Sequence, residues 1–577
     1  MNARKIVALL CLVSLVASAQ DVQRLGETVD ISIVNVDVFV TDRDGNRVRG
    51  LTANDFEIYE NGQLQPISNF AEYASGSNER VGVGGTRRAA TAAPREKRNI
   101  LIFFEEMYLP PHRADPLFDT LKETVARTVA PGDAVSVVSW SRFGIEHDEF
   151  TDDVRAIHTS IDRVAEETKK AQHDPVQQQR EEAAALREFN RRVAEMAASG
   201  GGSLGSRGGL AQTQQQVARP ANDGGEAGEG GAAQLYMLMA YNEMKVRVAA
   251  INSAITSMSG LEGKKILFLA TRRLGEIAGA EFAYAGGTQR IPANLRLRYG
   301  TAELMQSIVD NANASGVTIY PVNPPGVRSA LPDTTLTTEP DPEATPAAVE
   351  GAEYLTLLNE TVSLNEIAKQ TGGLMAAGTS DVIDLLPRIA SDITDYYSLA
   401  YRVSVTGEDH ARDIVVKTKR PGLTVRARRQ FVEKSDDSRM RDRLRSTLFR
   451  AAQESQIDIT ATAGEATVTG NRRSVPVQIR IPIKDLTVLP RGEGKHAGSF
   501  SVYVGAAADL DELSDITEKT QPFEVDEAKL EDAQAGWFTY DLDVEVNEKS
   551  RYLAVGVMDE VGRTYGLTRL DLKDGGA

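Results

Sequence analysis

The chain has 577 residues, 41% hydrophobic and 25% charged, with 82 acidic against 65 basic side chains and a net charge of −17. That length exceeds what one hydrophobic core can organise and implies about three or four folded units, while the negative field disfavours nucleic acid and anionic membrane surfaces as partners. The only cysteine, Cys11, excludes a disulfide framework and a thiolate zinc site.

Met1 to Ala19 reads as an export signal: Arg4 and Lys5, an apolar stretch from Ile6 to Val16, then Ala17, Ser18 and Ala19. The stretch is shorter than the roughly 20 residues of a spanning helix, so cleavage after Ala19 is expected, with no membrane span afterwards. The mature protein is placed in the periplasm, on the cell surface or outside the cell. Leu10 before Cys11 argues against a lipid attachment there.

Apolar and polar residues alternate from Val29 to Phe39, Asp42 to Asn46 turns the chain, and strand character resumes from Val48 to Ile58. This is a hairpin pattern inside a small β module at 28–74. A linker rich in Gly, Ala, Arg and Thr follows at 75–97. Strands are then expected at 99–104, 134–140, 146–150, 264–270 and 317–322. Helices are expected at 115–129, 152–165, 234–258, 301–314, 361–370 and 381–394. Alternation of this kind gives a doubly wound, mostly parallel α/β sheet over 98–395. Insertions interrupt it at 166–233, 275–300 and 325–350. Strand character returns at 396–432, a charged helical connector spans 433–455, and alternating segments within 456–577 read as a C-terminal β-sandwich.

The strand from Asn99 to Phe104 is wholly apolar, as a central strand of a parallel sheet is, and ligands bind beyond the carboxyl ends of such strands. Together with Val36 to Gly45, Leu51 to Glu60, Tyr396 to Tyr401 and Arg420 to Arg429, it resembles the VWFA-related proteins of Acidobacteria and similar bacteria. These are exported chains carrying a degenerate von Willebrand factor A (VWA) domain. The resemblance implies a Rossmann-like VWA fold flanked by all-β modules, with binding rather than catalysis as its use.

In metal-binding members, Asp-x-Ser-x-Ser of the first loop joins a Thr and a further Asp around a divalent ion. By position this chain offers Glu105, Met107 and Leu109, then Thr271, Arg272 and Arg273 where Thr-Asp-Gly is expected. Two hydroxyl ligands have become apolar, and an acidic position has become a guanidinium that repels a cation. No metal and no cofactor is therefore expected. Glu105 and Glu106 are expected to pair with Arg272 or Arg273 across the top of the sheet. The candidate binding rim comprises Glu105, Glu106, Met107, Tyr108, Thr151, Asp152, Arg272 and Arg273.

No catalytic constellation emerges. Gly201, Ser203 and Gly205 match a nucleophile elbow only in spelling, because a glycine-rich tract supplies neither the strand nor the helix that the elbow needs. The six histidines form no His-x-x-x-His pair. Asp541, Asp543 and Glu545 share one strand face, as on a solvated sandwich. The expectation is an exported, non-enzymatic protein-interaction module. The alternatives are a metal-dependent adhesion module using Glu105, Glu106 and Asp152, and a hydrolase with an unrecognised site, for which Ser203 is the one weak match.

Overall fold

The computed structural model describes residues 31–73, 97–106, 109, 115–141, 144–170, 229–272, 274–280, 291–322, 346–375, 381–404, 407–450, 455–470, 472–492 and 494–572. The segment 1–19 read as an export signal, nearly all of the linker, Met107, Tyr108, Ser203, Arg273 and most of the 166–233 and 325–350 insertions lie outside the described residues. The chain is a mixed α/β protein whose parallel pairings are confined to one sheet.

It opens with β1 (Ile31–Thr41), β2 (Phe56–Glu60), β3 (Gln63–Gln65) and β4 (Ile67–Tyr73). The turn after β1 forms as its residues dictate: Asp42 Oδ1 accepts from the backbone N–H of Asp44 at 2.9 Å and of Asn46 at 2.8 Å, and Gly45 takes φ +82°. The expected hairpin does not follow from it. After a bridge between Thr41 and Arg47, β2 joins a different sheet from β1.

The α/β unit follows: β5 (Arg98–Glu105), α1 (Asp115–Thr128), β6 (Ala134–Ser141), β7 (Gly144–His147), α2 (Val154–Lys170), α3 (Glu229–Ser257), β8 (Lys264–Ala270), α4 (Ala293–Tyr299), α5 (Ala302–Ser315), β9 (Val317–Val322), α6 (Pro346–Thr371) and α7 (Asp381–Thr394). Its sheet runs β7-β6-β5-β8-β9, parallel except for the β6–β7 pair. β5 is buried along its whole length. Period-two alternation divides its side chains: Leu101 and Phe103 pack with Met244, Ile251 and Ile308 of α3 and α5, and Ile100, Ile102 and Phe104 pack with Phe118, Ile161 and Ile389 of α1, α2 and α7. Helices therefore cover both faces, which is why the strand carries no polar side chain between Asn99 and Glu105.

The chain then returns to the first module with β10 (Tyr396–Ser404), β11 (His410–Thr418), β12 (Thr424–Arg426) and β13 (Gln430–Glu433). The two segments interleave, giving sheets β12-β1-β10-β4 and β13-β11-β2-β3. One core holds them, with Val34, Val36 and Val38 of the first sheet against Ile58 and Ile414 of the second. The α/β unit is thus inserted between two halves of a single β unit, and its ends meet where Tyr73 pairs with Tyr396.

After α8 (Asp436–Phe449) come β14 (Thr460–Ala463), β15 (Thr467–Thr469), β16 (Arg472–Pro482), β17 (Leu489–Gly492), β18 (Lys495–Ala507), β19 (Thr517–Asp526), β20 (Trp537–Asn547), β21 (Tyr552–Asp559) and β22 (Tyr565–Asp571). They form two sheets that share a core of Val477 and Ile479 against Phe500, Val502 and Val555. Asp541 accepts from Gln478 at 2.9 Å and Glu545 pairs with Arg472 at 3.0 Å, so that carboxylate face is solvated and cross-strand paired. Among the described residues no helix is long and apolar enough to cross a membrane.

α8 is the joint of the molecule. Ser435 caps it, accepting from Ser438 N–H at 3.2 Å. Its buried side chains Met440, Leu444, Leu448 and Phe449 belong to the same cluster as Ile255 and Met258 on one side and Tyr503 and Ala554 on the other. The turn after α3 comes so close that a Cβ on Gly260 would lie 2.3 Å from Arg443 Cα, and Gly260 N–H donates to the Ser446 hydroxyl at 2.9 Å. Gly260→Ala therefore overpacks backbone against backbone. We expect it to cost about 1–3 kcal/mol, read as a lowered urea midpoint and earlier proteolysis at the α8 junction. A midpoint equal to that of the parent chain would refute the tight docking.

Candidate functional site

The sheet order β7-β6-β5-β8-β9 reverses direction between β5 and β8. In open α/β sheets the crevice beyond the carboxyl ends at such a reversal is where ligands bind. Glu105 ends β5 and Thr271 follows β8, so these two residues frame that crevice.

A guanidinium fills it. Glu105 continues the Leu101–Phe103 face and so points toward α3, where Arg247 meets it. Arg247 Nε donates to one carboxylate oxygen at 2.8 Å and Nη2 to the other at 2.8 Å. Both side chains are almost wholly buried, 3% and 1% exposed. The Thr271 hydroxyl also donates to Glu105, and Arg247 donates to the Arg272 carbonyl. Burial alone would lower the pKa of Arg247, but the Glu105 charge, helped by Glu243 and Glu360, outweighs it and holds the guanidinium above its ordinary value. For Glu105 the partner is thus Arg247 rather than the expected Arg272; Arg273 lies outside the described residues, and Arg247 is a functional residue beyond the candidate rim.

Glu106 diverges from Glu105. It faces Ser139 of β6 and Glu167 of α2. Burial, then the Glu167 and Glu146 carboxylates, push its carboxyl up to about 7, against a lowering influence of the Ser139 hydroxyl. Arg163 serves the same cluster, 2.9 Å from Glu146 and 3.4 Å from Glu167.

Thr151 and Asp152 do not join the rim. β7 runs antiparallel to β6, and the chain continues down that edge until Thr151 bridges Val135. Val135 pairs with Ile100, whereas Glu105 pairs with Trp140. Five residues of strand, about 16 Å, therefore separate Thr151 from the Glu105 level. There Thr151 accepts from Asp153 N–H at 3.1 Å and Asp152 from Gly132 N–H at 3.3 Å, which are turn and helix-start roles.

This donor set does not fit a divalent ion. Glu105 and Glu106 face different elements, Asp152 lies at the far end of the sheet, and both oxygens of Glu105 are already bonded to Arg247. Among the described residues no group of three His, Cys, Asp or Glu side chains is placed to hold a metal. Of the candidate rim, Glu106 and Arg272 remain partly exposed beside the buried Glu105.

No family model matches the chain, and no curated protein matches it. Among solved structures it is similar to an aerotolerance-related membrane protein from Bacteroides fragilis with multiple mutations to serines. The identity is 10%, covering 52% of this chain and 98% of the other, with a TM-score of 0.22. It is also similar to a Northeast Structural Genomics Consortium target determined by X-ray diffraction, at 11% identity over 22% of this chain and 94% of the other, with a TM-score of 0.15.

The raised carboxyl of Glu106 makes stability depend on pH with a definite sign. Between the ordinary value of 4.5 and about 7 the folded chain keeps a proton that the unfolded chain has released, so stability falls as pH rises through that window. Glu106→Gln removes the fall. We expect its melting temperature to gain on the parent between about pH 5 and about pH 8; parallel curves would show that Glu106 is not protonated in the fold.

Proposed function

We propose that this chain is an exported, non-enzymatic protein-interaction module whose α/β unit is of VWA type, with a resident arginine in the place of an exchangeable metal ion. The observation that carries this reading is the Arg247 fork on Glu105 at the reversal between β5 and β8. A ligand crevice in that position is ordinary for such sheets; here Glu105, the carboxylate that ends β5, is satisfied from within the chain. The strand order and the helices on both faces support the doubly wound architecture, and the N-terminal pattern of Arg4, Lys5 and the following apolar residues supports export. Recognition then falls to the surface around the filled crevice, where Glu106 and Arg272 sit, and the β units present that surface rather than act on a substrate.

Two measurements test this. Thermal melting with Mg²⁺, Ca²⁺, Mn²⁺ or a chelator should leave the parent protein unchanged, because only a ligand of the native state raises its stability by mass action; a saturable rise with any of these ions sinks the metal-free reading. Crosslinking with mass spectrometry in native envelopes should return partner peptides attached around Glu106 and Arg272, and Arg272→Glu should cut their recovery. Unchanged recovery would move the contact elsewhere. In a companion test, Arg247→Met strands a buried carboxylate and should cost about 3–5 kcal/mol, most of it regained on adding Glu105→Leu.

A further inference from the structure

A second feature lies at the opposite end of the sheet from Glu105. A cavity of about 250 Å³ opens where the turn after α3, the end of α5, β13 and α8 come together. Each of the three units contributes to its wall: Ser259, Lys265 and Asn313 from the α/β unit, Arg428 from the interleaved β unit, and Arg439 and Arg443 from the connector helix. A neighbouring cavity of about 290 Å³ shares Ser259 and Ser315 with it.

The wall carries an excess of positive charge. Glu262 and Asp442 also line it, but Asp442 is already in contact with Lys434 and lies 3.3 Å from Arg445. Lys265, Arg428 and Arg443 have no carboxylate within ion-pair distance among the described residues. Lys265 Nζ donates to the Ser259 and Ser315 carbonyls at 2.7 and 2.8 Å, which leaves one of its three donors. Arg428 donates from Nη2 to the Asn35 carbonyl at 2.6 Å, and Arg443 lies 4.0 Å over the Tyr565 ring. Burial, with the charges of Lys434 and Arg428 added, pushes Lys265 down to about 7 against the pull of Asp442 and Glu262, the response of a buried ammonium with no carboxylate close enough to pair with it.

The wall also holds unused hydrogen-bonding atoms. Arg428 Nε, the Ser259 hydroxyl and the Asn313 side-chain oxygen are buried with no hydrogen-bond partner among the described residues, and Asn313 is only 3% exposed. Buried polar atoms of a folded protein are normally satisfied, and a cluster without partners around one cavity marks a missing group. An amide can turn either its oxygen or its nitrogen inward, so Asn313 meets a hydroxyl or an anionic oxygen equally well.

We propose that this cavity binds a small oxyanion, a phosphate or carboxylate group, and that the bound anion ties the α/β unit, the interleaved β unit and the connector helix together. The Ser259 hydroxyl, Arg428 Nε and the remaining Lys265 donor supply the hydrogen bonds. Arg443 and Arg439 supply charge. The site is independent of the filled crevice at the other end of the sheet, and its fate does not bear on the partner-binding reading above.

Calorimetric titration of the full chain with inorganic phosphate and, separately, with citrate tests this. One saturable site per chain is expected for at least one of them, with a rise in melting temperature that chloride at equal ionic strength does not give. Arg443→Gln and Ser259→Ala should each weaken binding by about tenfold or more, as the loss of one bond to a charged group implies. Ser259→Ala removes a single hydroxyl, so it keeps the test open if Arg443→Gln disturbs the docking of α8. No saturation by either anion, an equal response to chloride, or binding by Ser259→Ala as tight as the parent's would each overturn the proposal. Preference for phosphate over citrate, or the reverse, identifies which oxyanion the site takes.

Discussion

A carboxylate at the end of a strand with no exposed side chain has to be neutralised or paired, and how Glu105 is paired sets much of the architecture. Leaving it buried and alone would cost several kcal/mol. Thr271 alone could donate only one hydrogen bond, so the chain brings Arg247 across from α3 and spends both faces of the fork on the carboxylate. This fixes the rotation of α3 about its own axis. With Arg247 held against Glu105, the residues one and two turns further on, Ile251 and Ile255, face the sheet. The turn at Ser259 and Gly260 then emerges at the opposite end, about 20 Å away along the helix. There it meets α8. A pairing at one end of the sheet thereby positions the contact surface for the C-terminal unit at the other.

Charge also governs how the α/β unit sits on the interleaved β unit. Lys264, at the foot of β8, is buried yet lies 3.1 Å from Asp37 and 3.4 Å over the Tyr396 ring. Asp392, near the end of α7, accepts from Arg426 and lies 3.6 Å from Arg47. Arg98 and Asp133 close the same edge with a paired fork. Because Tyr73 and Tyr396 stack at 4.6 Å, the inserted unit leaves and rejoins its host at adjacent positions. That geometry lets a whole domain be inserted without separating the host strands. It also accounts for the polar contacts gathered at the foot of the sheet, where the inserted unit leaves and rejoins its host.

The parts of this arrangement that sequence patterns carry are those governed by local periodicity. The strands at 264–270 and 317–322 and the helix at 381–394 fall where the apolar runs put them. Pairing partners were less legible, since the alternation of β1 fits β10 as well as it fits a hairpin mate. β19 carried almost no signal: its residues from Thr517 to Gln521 are polar, as suits a strand bonded on one side only, to β18. Thr151 and Asp152 were misplaced because loop residues reveal neither the register nor the direction of the strand before them. Arg247 could have been found. Met244, Val248, Ile251 and Ile255 mark the buried stripe of its helix, and an arginine inside such a stripe demands an acid on the facing strand. The only acid at the end of the central strand's α3-facing side is Glu105.

The difference between a resident guanidinium and a bound metal ion extends to how such a surface can be controlled. A divalent ion leaves when its concentration falls, and its affinity varies with the protonation of its ligands. Arg247 cannot leave and cannot lose its proton. At 3% exposure it also cannot offer itself to an acidic group from outside the chain, so what the crevice presents is the shape and charge of its surroundings. Beside it lies Glu106, a carboxyl poised near neutrality by its burial beside Glu167. A crevice filled in this way is therefore fixed once the chain has folded, and any response to its surroundings passes to the carboxyl next to it. The buried pair beneath contributes less to net stability than its contacts suggest, because desolvating both charges offsets most of their attraction; what it secures is the single orientation of α3 on which that neighbouring surface rests.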